Sequence, residues 1–239
     1  MKGFKSILVA GLSVASMSSV FAQDKVEGSM SVDLVSQYVW RGINCGDAAI
    51  QPGLGISWKG LSLGAWGSVG LASADDVKEF DLTLGYSVGG FNIGVTDYWF
   101  SAGLDELGRY FKYDAHSTNH IYEANVGYDF GPVAVQWYTN IAGNDGWNAD
   151  GDRAYSSFVQ FSAPFEFMTC NWDATVGIVP YETSFYGASG FAVTELGLKA
   201  TKEFQVSDKI TIPLYVGISA NPCLQDCNFY AGVAFTPNF

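Results

Sequence analysis

The chain has 239 residues, 48% of them hydrophobic, with 12 Lys+Arg against 24 Asp+Glu and a formal net charge of −12. Charged residues make up only 15% and aromatics another 15%, which excludes a disordered chain, since such chains are rich in charge and poor in aromatics. The acidic balance argues against binding a phosphate backbone, so no nucleic-acid partner is expected.

Residues 1–22 read as a cleaved signal peptide. Lys2 and Lys5 give a basic start, Ser6 to Ala22 carries no charge, and Val20-Phe21-Ala22 places small residues at positions −3 and −1 of a cleavage site. The apolar stretch Ile7 to Val14 is too short to span a bilayer. Residues 23–239 are expected to form one domain. Their longest charge-free stretches, 60–74 and 210–225, are broken by Gly, Ser or Pro and fall short of the ~20 residues of a spanning helix. A membrane location therefore requires a closed β-barrel.

The domain alternates with a period of two, in about twelve segments. The first sets Met30, Val32, Leu34, Tyr38 and Trp40 against Ser31, Asp33, Gln37 and Arg41. The second sets Ile50, Leu54, Ile56 and Trp58 against Gln51, Gly53, Gly55 and Ser57, and the third Leu61, Leu63, Ala65 and Val69 against Ser62, Gly64 and Ser68. The fourth turns Phe80, Leu82, Leu84 and Tyr86 outward, opposite Glu79, Asp81, Thr83 and Ser87. Others run near 91–100, 119–130, 132–142, 154–165, 170–179, 191–202, 209–219 and 228–239. In the fifth, alternation turns Asp97 outward with Phe91, Ile93, Val95 and Trp99, so a bulge or an early exit from the membrane is expected there. Segments of this length suit tilted strands crossing a bilayer.

Short links at Lys59-Gly60, Gly89-Gly90, Gly131-Pro132, 166–169 and 205–208 alternate with longer polar loops at 42–47, 73–78, 101–118, 143–153, 181–190 and 220–226. This is the connectivity of a transmembrane antiparallel up-and-down β-barrel of about 12 strands with both termini on the periplasmic side. Tyr38, Trp40, Trp99 and Tyr155 are expected at the outer rim, and Trp58, Tyr86, Phe91, Phe130, Phe165 and Trp172 at the periplasmic rim. The last strand alternates Phe229, Ala231, Val233 and Phe235 and ends at Phe239. That ending resembles the signal read by the barrel assembly machinery of the outer membrane.

Candidate chemistry is sparse. His116 and His120 are spaced for a metal only if a helix joined them with Asp114, and no serine is clearly placed for a Ser-His pair. The run Asn144 to Asp152 resembles a calcium loop, but Gly146 stands where the first ligand belongs. No cofactor is expected. Strand parity places Asp33, Glu79, Asp81, Glu123, Asp129, Asp173 and Glu195 inside against Arg41 and Lys199, an acidic lumen that favours cations modestly. Arg41, Glu79, Asp81, Glu123 and Glu195 are the candidate selectivity residues. Export permits disulfides: Cys223 pairs with Cys227, or one of them with Cys45, while Cys170 lies at the opposite end.

The stretch Ser36-Gln37-Tyr38-Val39-Trp40-Arg41-Gly42-Ile43, followed by Ala49 to Gly53, resembles the opening motif of the TorF-like porin family of Gram-negative bacteria. Gly64-Ala65-Trp66-Gly67-Ser68, Glu79-Phe80-Asp81-Leu82 with Gly85-Tyr86, and Ile121-Tyr122-Glu123-Ala124 are similar to its further blocks, over residues 30–142. The chain departs from that pattern at Asn44-Cys45-Gly46. The resemblance implies a channel in the outer membrane. With the composition, it sets the expectation of passive diffusion of small polar or cationic solutes through a non-enzymatic barrel held in outer-membrane lipid. The alternatives are a barrel enzyme and a structural or adhesion barrel without an open pore.

Overall fold

A computed structural model describes residues 25–72, 76–102, 109–114, 117–207 and 210–237. The signal segment, His116, the turn residues 208–209 and Phe239 lie outside the described residues. The strands are β1 Glu27–Val35, β2 Tyr38–Trp40, β3 Ile43–Gly46, β4 Ala49–Trp58, β5 Leu61–Gly70, β6 Val77–Val88 and β7 Phe91–Ala102. They continue with β8 His120–Asp129, β9 Ala134–Gly143, β10 Ser157–Phe167, β11 Cys170–Val179, β12 Ala192–Ser207, β13 Ile210–Asn221 and β14 Asp226–Pro237. All but β2 and β3 form one closed antiparallel barrel, twelve strands as the alternation required. Closure falls at β1, where Asp33 lies between Ala234 of β14 and Gln51 of β4. Among the described residues the barrel itself has no open edge.

The side chains are inverted relative to a water-soluble sandwich. Leu54, Ile56, Leu63, Leu84, Ile93 and Val216 are exposed on the outer wall, as are many other large apolar residues around it. Gln51, Ser68, Thr83, Thr96 and Gln136 are buried inside. Several inner groups bond one another: Gln51 Nε2 donates to Ser68 Oγ at 3.2 Å, Gln136 Nε2 to Asn92 Oδ1 at 2.6 Å, and Thr83 and Thr96 share a 3.0 Å hydroxyl contact. A soluble monomer exposes apolar patches of at most a few hundred Å², whereas here the apolar face is the whole wall. Lipid is the medium this surface fits. Among the described residues no helix is long and apolar enough to cross a membrane, so the strands do the crossing.

The turn end follows the expected links. Lys59-Gly60 takes φ of 49° and 87°, and Met168-Thr169 takes 49° and 61°, the doubly positive pair that a two-residue hairpin between right-twisted strands needs. Asp97 is outward, as alternation demands. The expected bulge is absent: β7 pairs with β6 and β8 without a register shift. Asp129 is not in the lumen. It is exposed at the turn end, where its carboxylate accepts the Gly131 N–H at 2.7 Å.

The larger correction concerns the first segment, expected to run unbroken from Met30 to Arg41. It ends at Val35, and Ser36 closes it by pairing both ways with Ala231: Ser36 N donates to the carbonyl at 2.8 Å and Ala231 N to Ser36 Oγ at 2.9 Å. The chain then turns inward as the β2–β3 hairpin. Tyr38 and Trp40 therefore lie inside the barrel mouth and not at the lipid-facing rim.

The folded protein is expected to leave the membrane only in detergent and to migrate faster on a gel when unheated, because a closed hydrogen-bonded barrel resists unfolding. Recovery as a soluble monomer would contradict the membrane reading.

Candidate functional site

The β2–β3 hairpin turns on Arg41 and Gly42, with φ of 49° and 79°. Glycine adopts this region freely, while for arginine it costs on the order of 1–2 kcal/mol. At Gly42 no other residue fits, since a Cβ there would run into the backbone carbonyl of Thr194 on β12. The turn thus points Arg41 into the barrel. Its Nη1 and Nη2 donate to the two carboxylate oxygens of Glu123 at 2.6 and 2.9 Å, and Nη1 also donates to the Tyr186 hydroxyl at 2.7 Å. The guanidinium lies 4.3 Å from the Trp40 ring centroid, 4.0 Å from Tyr138 and 4.9 Å from Phe158. Burial disfavours its charge, but the Glu123 carboxylate together with Tyr186 and Tyr98 outweighs that and keeps the guanidinium protonated. Tyr98 donates a further bond to Glu123 at 3.0 Å.

Apolar packing surrounds this ion pair. Tyr138, Phe158, Val179, Tyr186 and Ala188 form a buried cluster against which Trp40, Ile43 and Phe185 pack. Residues 144–156 and 180–191 complete the cover. Ser156 and Thr183 join them through a 2.5 Å hydroxyl contact, and Asp145 accepts Gly146 N at 2.7 Å, Ser156 N at 3.1 Å and Asn140 Nδ2 at 3.0 Å. That carboxylate of the calcium-like run is therefore engaged by protein donors, and no metal-holding cluster occurs among the described residues. The hairpin and the two loops plug the loop end of the barrel.

Beneath the plug lies a cavity of about 210 Å³. Arg41, Asp81, Tyr98, Asp173, Glu195 and Lys199 are among its lining. Glu79 is buried on the same strand as Asp81, paired across the wall with Ser68 of β5. Six acids face inward (Asp33, Glu79, Asp81, Glu123, Asp173 and Glu195) against Arg41 and Lys199, a formal difference of −4. All five candidate selectivity residues are thus inside. Sequence reasoning missed the aromatic partners, Trp66, Tyr98, Tyr138, Phe158 and Tyr186. The inward parity of Trp66 and Tyr98 was the available signal. The resemblance blocks converge on this place, contributing Tyr38, Trp40, Arg41, Trp66, Glu79, Asp81 and Glu123.

The expected disulfide is not formed; all four cysteines are free thiols. Cys223 turns toward the Gly187 carbonyl, 3.7 Å away, while Cys227 is exposed on the outward parity of β14. The two face different ways. Cys45 lies in the inserted hairpin, its Sγ 3.8 Å from the Ile43 carbonyl, and burial together with the nearby Glu79 pushes the thiol up to about 12.

Outside the barrel, His120 is fully buried beneath Tyr110 and Tyr113. Its Nδ1 meets Asp97 Oδ1 at 2.7 Å and its Nε2 meets the Tyr110 carbonyl at 2.5 Å. This explains the outward carboxylate without a bulge: the imidazole and the folded-back loop shield it from lipid. The second ring nitrogen is engaged by backbone, so the Asp-His pair presents no base to a nucleophile.

The chain belongs to the family described as "Bacterial protein of unknown function (Gcw_chp)", whose pattern it matches over residues 21–227. No curated protein matches it. Among solved structures, an outer membrane channel from Pseudomonas putida F1 is 12% identical with a TM-score of 0.44, over 97% of this chain and 100% of that one. The CymD monoaromatic hydrocarbon channel is 11% identical with a TM-score of 0.41, over 91% and 89%. Salmonella typhi OmpF is 11% identical with a TM-score of 0.35, over 90% and 98%.

Replacing Arg41 by Ala strands Glu123 without its counter-charge, a loss of roughly 3–5 kcal/mol for a buried pair. Hydrogen exchange should quicken across residues 38–46 in that variant and stay slow in the barrel strands. Unchanged protection of the hairpin would show that Arg41 does not hold it.

Proposed function

We propose that the protein is a channel of the Gram-negative outer membrane that passes small polar or cationic solutes, with the β2–β3 hairpin as a plug at its extracellular mouth. The reading takes residues 1–22 as the export signal, the loop end as extracellular, and the C-terminal strand ending at Phe239 as the mark for barrel assembly. It agrees with the resemblance to TorF-like porins.

The observation that carries it is the docking of the plug. A barrel serving only as a rigid anchor gains nothing from a polar cavity with uncompensated acids beneath an inserted turn. Unpaired charge in a confined space is unfavourable unless something passes or binds there. The plug is held by one ion pair, the tyrosine hydrogen bonds around it and aromatic packing, contacts that can be released without opening the barrel wall. Twelve strands enclose a narrow lumen compared with the 16 to 18 of wide aqueous porins, which limits passage to small solutes. Asp173 and Glu195 line the cavity opposite Asp81 and give the passage its sign. Screening acts over ~8 Å at physiological salt, so the preference is modest and fades in concentrated salt.

The test is the reversal potential across a salt gradient in planar bilayers. The wild type should conduct with a cation preference, and Asp173→Asn with Glu195→Gln should reduce it. Anion preference, or no conductance from heat-modifiable protein, would refute the reading.

A further inference from the structure

We infer that the lumen cavity holds a small organic cation, its ammonium group set against Asp81 between the rings of Trp66 and Tyr98. This deepens the channel reading, on which it rests, by naming a solute class. Trp66, Asp81 and Tyr98 are direct neighbours across β5, β6 and β7, paired Trp66 to Asp81 and Asp81 to Tyr98, and all three line the cavity. Tyr38 of the inserted hairpin roofs the group, its ring 5.6 Å from Trp66.

Asp81 is 6% exposed, and its Oδ1 has no hydrogen-bond partner. A buried carboxylate oxygen facing a cavity without a donor is costly unless a ligand or solvent fills the place. The chain already contains the filled version of this arrangement. Inside the same barrel, the Arg41 guanidinium occupies a carboxylate flanked by the rings of Trp40 and Tyr138, and Tyr98, paired with Asp81, reaches to Glu123. The Asp81 group repeats the carboxylate and the rings without the cation.

The surroundings select the cation's type. A hard metal ion wants six or more oxygen ligands, and no metal-holding cluster occurs among the described residues. Rings attract a weakly hydrated ammonium through their faces. The cavity, about 210 Å³, is smaller than the roughly 300 Å³ at which drug-sized pockets begin. A few-carbon ammonium compound fits; a disaccharide does not.

Choline serves as the probe, with 3,3-dimethylbutan-1-ol as its uncharged isostere, titrated by calorimetry into the detergent-folded, heat-modifiable chain. Saturable choline binding is expected, with the alcohol failing to saturate. Asp81→Asn should weaken choline about tenfold through the lost charge, and Trp66→Leu should weaken it through the lost ring. The gel shift checks that each variant is folded. Equal binding of the two probes, unchanged affinity in folded Asp81→Asn, or no saturable binding by the wild type would overturn the site. A barrel that conducts ions yet fails to bind choline loses this inference alone. One that binds choline yet does not conduct keeps the site and loses the channel reading.

Discussion

The buried pair of Arg41 and Glu123 is the interaction on which the interior depends. Two charges taken out of water are expensive, and mutual attraction repays that only with good geometry and full hydrogen bonding. Here the geometry is bidentate, Tyr98 and Tyr186 supply further bonds, and three rings lie against the guanidinium. A well-packed apolar pair would often be as stable. What the ion pair adds is position. It ties one turn of an inserted hairpin to one place on β8, 82 residues away, and aligns Trp40 and Tyr38 over the lumen beside it.

The left-handed φ of Arg41 belongs to the same logic. A tight two-residue turn needs positive φ at both central positions, and glycine at the first would relieve the strain. Arginine at that position trades backbone ease for a charged group at the tip of the hairpin, where it reaches farthest into the barrel. Gly42 follows of necessity, because the turn presses against the Thr194 carbonyl. Packing of Tyr186 and Phe158 then covers the pair from the side of the loops. The plug is thus a small polar-centred core inside an otherwise hollow wall.

Much of this was legible beforehand. Period-two alternation makes strand count and parity readable, and by that parity Asp33, Glu79, Asp81 and Glu123 turn inward, where they are buried. Parity failed where the chain leaves the wall but keeps its pleat. Tyr38 and Trp40 continue the alternation of β1, so they read as its outer face, although β1 ends at Val35. Gly42 reads as the start of the first loop, well past the true break after Val35, so the turn signal that is present does not mark where β1 ends. The partnership with Glu123 had no such signal, since it depends on barrel closure. Asp129 was misplaced for a simpler reason: a carboxylate at a strand's last residue serves the turn beside it. The cysteine pairing failed because alternation turns Cys227 outward while the tip of the last loop turns Cys223 toward Gly187.

Val35 and Ala49 are paired neighbours in the wall, so the hairpin between them can be cut out and replaced by an Asn-Gly turn without opening the barrel. Single-channel conductance of that shortened protein, folded as judged by its gel shift, tests most directly whether the inserted hairpin narrows the lumen. The account requires conductance several-fold above that of the intact chain at the same salt concentration. Equal conductance with and without the hairpin would contradict it.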